Sequence, residues 1–479
     1  MEQPQIFKEK SVGEITHQKV NLPLNTFPLL VQNVGRVTFP RSTALLVFPG
    51  YVLFFMMLAF PMSTSVLYVK AVLFGVVVAE TLVCGLFCYG FTLHFSIAAL
   101  TVSFAVLGFF FALRGFFLGA PGAGNGLQIY VLWPLVYMVV LAGASQEKVL
   151  RGMRWVLLIA TIFAGVQGGI YLLTFMDVLP ANNYARLLSL DWQEQGIGFH
   201  EGYIGLRFPG LNSLPFLVPF AIASLATHAL QDAENQIRKI WLWLALFAGL
   251  AMALVSGRRG LLLAILLAPL LTWFFLMFRP RDDRRRGWRS LIRVSLAILL
   301  CGLFILAAVN SIYEVTVQGL LQRVSEGFDF RPTAYDDSAV ARGVQFSALL
   351  RGWYEHPMVG AGLGVPAFGS IRSEERPWDY ELYYLALLYQ TGLVGFLAYA
   401  AGLLWIFWKG IRVIQSDPHI GYLLLPILVG SATLLVASGT NPYLARFDGL
   451  WVIFLPLAHV NNWLSQKSHA HSRCAPYPV

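Results

Sequence analysis

Apolar runs about as long as a bilayer is thick recur along this chain, and that recurrence constrains its fold more than any other feature. A helix crossing the roughly 30 Å hydrocarbon core needs about 20 mostly apolar residues. Roughly twelve stretches meet that length, near residues 43–62, 67–88, 93–112, 127–143, 155–176, 211–230, 240–255, 260–278, 291–309, 382–408, 422–437 and 450–464. Backbone polar groups in lipid must be satisfied within the segment, so the expectation is an all-α, polytopic membrane protein. Composition agrees: 12% of the residues are charged, against about 25% in soluble domains.

The formal charge of +9 does not indicate a nucleic-acid partner, because the basic residues form no stripe on a soluble domain. They fall in the links between apolar runs, where they set orientation in the bilayer. Lys148, Arg151, Arg154, Arg238, Lys239, the run from Arg279 to Arg289, Lys409, Arg412, Lys467 and Arg473 all reach one face if the even-numbered helices end there. That face is expected to be cytoplasmic. The organisation is then a cytoplasmic tail over 1–42 with no signal-peptide core, spans one to nine over 43–309, a large periplasmic loop over 310–380, spans ten to twelve over 381–465 and a cytoplasmic tail over 466–479. Four cysteines present neither a disulfide framework nor zinc spacing, and Cys84 and Cys88 read as small core residues.

The polar stretch 310–380 is far longer than an ordinary connection, which marks it as functional. Phe346, Leu349, Leu350 and Trp353 recur at helical spacing and predict a helix with an apolar face. We read the region as a cap over a site built on the membrane scaffold. Arginine is expected to be scarce on the outer face, yet Arg207, Arg258, Arg259, Arg342, Arg351, Arg372, Arg376 and Arg446 all map there. Snorkelling to headgroups accounts for single cases; the set suits an anionic ligand, because guanidinium groups bind phosphate oxygens bidentately.

Three pieces carry the remaining signal. Arg207-Phe208-Pro209-Gly210-Leu211-Asn212 opens a span, and Ser256-Gly257-Arg258-Arg259-Gly260 joins two spans. The third runs from Arg342 through His356-Pro357-Met358-Val359-Gly360-Ala361-Gly362-Leu363-Gly364 to Glu381 and the Gly392-Leu393-Val394-Gly395 motif. A helix is expected to start after Pro377, with Asp379 as N-cap and Glu381 in its first turn. Residues 119–126 (GAPGAGNG) lack the lysine of a phosphate loop and read as a flexible outer turn. His200, Glu201, Asp336 and Asp337 are further polar residues of the outer loops.

These pieces, with about twelve spans and one large loop before the tenth, resemble the bacterial O-antigen ligases and polymerases and their exopolysaccharide relatives. The likeness covers most of the chain past Arg207. It implies an inner-membrane glycosyltransferase that moves a glycan from an undecaprenyl diphosphate carrier to an acceptor hydroxyl on the periplasmic side. The acceptor is a growing glycan for a polymerase or lipid A–core for a ligase, and other polysaccharide assembly proteins are possible partners. No nucleotide sugar, cofactor or obligatory metal is implied.

By position, Arg207 and one of Arg258 or Arg259 would hold the donor diphosphate. Arg342 is either a third contact or an anchor of the loop through an ion pair. The ligases start the helix after the loop with a histidine, often followed by asparagine; here Glu381-Leu382 stand there, which favours a polymerase. Glu381 becomes the candidate base. His356 and Tyr384 are candidate substrate contacts, with a turn and an interfacial aromatic belt as their structural alternatives. A transporter or flippase for lipid-linked glycans is the reading from another class.

Overall fold

The computed structural model describes residues 43–61, 63, 66–85, 92–175, 178–179, 197–200, 203–231, 236–313, 318–319, 322, 337–370 and 374–474. The chain is a helical bundle. In order the helices are α1 (Thr43–Ala59), α2 (Leu67–Cys84), α3 (Phe95–Phe117), α4 (Ala123–Ala144), α5 (Glu147–Phe175), α6 (Leu214–Thr227), α7 (Lys239–Ser256), α8 (Arg259–Leu276), α9 (Arg281–Tyr313), α10 (Asp337–Glu355), α11 (Tyr383–Ser416), α12 (Pro418–Ala437) and α13 (Trp451–Cys474). A short antiparallel hairpin, β1 (Ile197–His200) with β2 (Tyr203–Leu206), precedes α6; it was not expected.

Among the described residues nine of these helices, namely α2, α3, α4, α5, α7, α8, α9, α11 and α12, are long and apolar enough to cross a membrane. The apolar stretches of α1 and α6 are shorter. Several helices overrun their apolar windows: α5 starts at Glu147 and α9 at Arg281. An apolar window marks the hydrocarbon core, whereas the helix continues through the headgroup layer.

Hydrophobicity around the whole circumference marks a helix for the centre of a bundle. Every residue of α6 is buried, and α12 buries 83% of its apolar window against 17% for α9. These two form the middle, with α7, α8 and α13 packed around them and α2 and α9 facing lipid. Small residues permit the close approaches. A Cβ on Gly165 would lie 2.5 Å from that of Ala248, and one on Gly430 would lie 2.9 Å from the Phe216 carbonyl oxygen.

Two faces emerge from the contacts between helix ends. On one, His419 Nε2 meets Glu147 Oε1 at 3.1 Å, joining the starts of α12 and α5. There Arg279 donates to the carbonyls of Ile414 and Pro418 and stacks 3.8 Å from the Tyr422 ring centroid. Asn461 ties Thr92 and His94 to Ser145. We call this the arginine-rich face, after Arg279 and the basic residues at the starts of α5 and α9. The opposite face carries α10 and the loops around it, and we call it the capped face.

A candidate anion site on the capped face

Gly257 adopts the left-handed conformation (φ 58°) and turns α7 into α8. Arg258, the residue before α8, thereby points back across the bundle and donates from Nη1 to Asn212 Oδ1 at 2.5 Å. Asn212 ends the 3-10 turn Pro209–Asn212 that follows Arg207. The first two sequence pieces thus meet. The Tyr443 phenol, from the loop between α12 and α13, lies against the same guanidinium. Burial pushes the Arg258 pKa down, opposed by Tyr443, and the neighbouring charge of Arg207 pushes it down further. Burial pushes the Tyr443 hydroxyl up, and Arg258 counters that.

Two guanidinium groups close enough to feel one another repel, and an anion bridging them relieves the repulsion. Arg207 is exposed and Arg258 half-buried. Beneath them is a cleft of about 20 Å³ lined by Asn212, Ser213, Tyr443 and Asp448, room for about one water. Arg259 is half-buried in the first turn of α8. At the next residue, a Cβ on Gly260 would lie 3.8 Å from Thr440 Oγ1 and 3.9 Å from Ala437 Cβ.

The floor of this region is an ion pair that the sequence reading missed. Lys70 Nζ donates to Asp448 Oδ2 and, at 3.0 Å, to the Phe60 carbonyl; the two side chains are 0% and 3% exposed. Next to it Tyr137 donates to the Phe447 carbonyl at 2.8 Å. A lysine inside an apolar run, ten residues from Glu80 in the same helix, was the available signal, because an intramembrane charge requires a partner.

Glu381 precedes the helix rather than lying in its first turn: α11 begins at Tyr383, and its N-cap Leu382 makes no side-chain cap. Asp379 is not the cap, and the helix dipole is not what places the carboxylate. Instead Arg342, on α10, donates from Nε to Glu381 Oε2 at 2.8 Å. Gln345, one turn along α10, accepts the Glu381 backbone N–H at 3.0 Å. Arg342 thus makes the ion pair that anchors the loop, and it orients Glu381. The apolar face of α10 is rotated from the one expected, since Leu349 is buried and Phe346 is 49% exposed. Tyr384 donates to the Leu435 carbonyl at 2.5 Å, and a Cβ on Gly439 would lie 3.7 Å from its ring. The turn at 437–440 therefore has the start of α8 on one side and Tyr384 on the other.

The glycine-rich loop is locked by backbone. Helix α11 breaks at Gly392 (φ 64°, ψ −172°), and residues 357–363 run through the break. Leu393 and Val394 donate to the carbonyls of Pro357 and Met358, while Ala361 and Gly362 donate to those of Tyr389 and Gln390, all at 2.9–3.1 Å. Arg114 Nε caps the Gly360 carbonyl at 2.9 Å. The His356 carbonyl accepts from the Gly360 N–H at 2.9 Å, and its side chain is exposed. His356 sits in a turn and meets none of the arginines above.

Residues 119–126 do not form a free outer turn. Gly122 donates to the Gly364 carbonyl at 3.2 Å and lies under the Trp378 ring, and a Cβ on Gly126 would be 2.7 Å from Leu363 Cβ. At Gly122 and Gly126 glycine is needed for contact, not for flexibility. Arg372, Glu201 and Asp336 lie outside the described residues, as do the side chains of His200 and Asp337. The chain matches no protein-family model and no curated protein sequence.

Proposed function

We propose that this chain is an inner-membrane glycosyltransferase of the O-antigen polymerase type, with all twelve helices other than α10 crossing the bilayer and the capped face in the periplasm. The observation that carries the reading is Arg258 held on Asn212, in the turn that follows Arg207, at the membrane face that also holds the anchored Glu381. Paired guanidiniums at headgroup depth suit a lipid diphosphate. An undecaprenyl diphosphate-linked glycan enters between helices with its diphosphate on Arg207 and Arg258, and Arg259 is within one helical residue of the same group. The acceptor hydroxyl oxygen attacks the anomeric carbon and forms the new glycosidic bond. The bond from that carbon to the diphosphate oxygen breaks and its electron pair leaves with the diphosphate. The hydroxyl proton passes to the Glu381 carboxylate, and the anomeric centre inverts. The arginines stabilise charge as it develops on the leaving group.

Ligation to lipid A–core uses the same chemistry with another acceptor. The break in α11 favours a second reading, a transporter of lipid-linked glycan, since discontinuous helices are common at transport sites. Against it, the backbone groups freed at Gly392 are taken up by residues 357–362.

Reconstituted vesicles supplied with undecaprenyl diphosphate-linked repeat units test both. A ladder of longer lipid-linked glycans is expected from the wild type, falling roughly 10²–10³-fold in Arg207→Ala and Arg258→Ala and comparably in Glu381→Gln. Products that need added lipid A–core identify a ligase. Lipid movement across the vesicle without glycan transfer identifies the transporter, and full activity in every variant excludes this site.

A further inference from the structure

Helix α9 has 33 residues, about 50 Å at 1.5 Å per residue, so it outruns a hydrocarbon core of roughly 30 Å. The excess is at its N-terminal end on the arginine-rich face. There Arg281, Arg284, Arg285, Arg286, Arg289 and Arg293 are all exposed, and none of their side chains is held by an ion pair or hydrogen bond among the described residues. Asp282 shares this face, whereas Asp283 is turned inward to accept the Tyr422 hydroxyl.

The side of the helix matters as much as the charge. The helix packs inward through Gly287, Leu291 and Val294; a Cβ on Gly287 would lie 2.9 Å from Leu276. On the opposite side, Arg281, Arg285 and Arg289 continue at i+3 and i+4 spacing into Ile292, Leu296, Leu299 and Leu303, which are 49–58% exposed. Exposed leucines in a membrane bundle face lipid tails, so the arginines above them stand over the headgroups of those same lipids. Trp288 and Trp273, half-exposed with rings 6.4 Å apart, mark the interfacial level.

We infer that this end of α9 is a binding site for anionic glycerophospholipid headgroups, beyond the role of these arginines in fixing orientation and independent of the enzymatic reading. A soluble polyanion or acidic protein would meet arginines directed into solvent; these lie in the plane of the lipid-facing stripe. Guanidinium groups take phosphate oxygens two at a time, and each basic residue at a membrane surface strengthens anionic lipid binding roughly fivefold.

The test is native mass spectrometry of the full chain released from micelles holding equal dioleoyl phosphatidylglycerol and dioleoyl phosphatidylcholine. Wild type is expected to retain the anionic lipid preferentially, and Arg281→Gln/Arg285→Gln/Arg289→Gln to lose at least about tenfold of that preference. The corresponding lysine triple variant keeps most of it, and 0.5 M salt weakens it. Unchanged preference in the glutamine variant, with a wild-type melting temperature, overturns the assignment. So does equal retention of the two lipids by wild type, or tighter binding of heparin than of the anionic lipid.

Discussion

Among the described residues Lys70 and Asp448 are the most fully enclosed ion pair, and their removal should separate pairing from packing. Taking away one partner of a buried pair strands the other in low dielectric and costs about 3–5 kcal/mol, whereas an apolar replacement of both is often neutral. Lys70→Met is therefore expected to melt well below the wild type in detergent, and Lys70→Met/Asp448→Leu to recover most of the loss. The partly exposed Arg342–Glu381 pair, at 15% and 21%, should behave differently. Such pairs contribute about 1 kcal/mol or less, so Arg342→Ala should change the melting temperature little while lowering glycan transfer by freeing Glu381. A strong loss of stability with transfer retained would reverse that assignment. At this scale the sequence is legible only in part. Lys70 stands out in its apolar run, but its partner is 378 positions away, and only the packing of α2 against the 443–449 loop brings them together. Glu381 was picked out by its place after the loop but expected in a first turn, whereas it precedes α11 and its orientation by Arg342 and Gln345 depends on how α10 is rotated.

At the scale of elements, the glycine loop and the break in α11 act as one piece. Gly360 and Gly392 both have positive φ, and a Cβ on either would run into the other's backbone. Gly392→Ala therefore combines left-handed strain with a clash that has no flexible side chain to yield. It is expected to destabilise by roughly 2–4 kcal/mol and to open residues 356–364 to proteolysis. Gly369→Ala supplies the contrast: φ is 84° but nothing lies within 4 Å of its Cβ, so strain alone should cost about 1–3 kcal/mol and leave the loop protected. Equal proteolysis of the two variants would mean that the loop is not held by the break. The glycines announce turns in the sequence, and Gly360, Gly362 and Gly364 do all have positive φ. That the turn docks into a helix through main-chain hydrogen bonds has no side-chain signature, which is why residues 119–126 also passed for a free turn.

At the scale of the whole molecule, apolar windows located the helices because the bilayer imposes one length on all of them, and they located the ends less well because charged turns extend past the core. Which helices are central was written in α6, apolar on every side, and in the lipid stripe of α9. The alternation of faces follows from contacts such as Glu147 with His419 at one end and Arg258 with Asn212 at the other, and which end meets the cytoplasm is a matter of accessibility. Single cysteines in a background without the four native ones resolve that. Phe368, 97% exposed on the capped face, and Arg285, exposed at the start of α9, are suitable positions. With intact bacterial cells made permeable only at the outer membrane, an impermeant maleimide is expected to label Phe368→Cys and to reach Arg285→Cys only after lysis. Labelling of both in intact cells would contradict the two-faced bundle. The inverse pattern would place Arg207 and Arg258 in the cytoplasm, where a periplasmic polymerase cannot work.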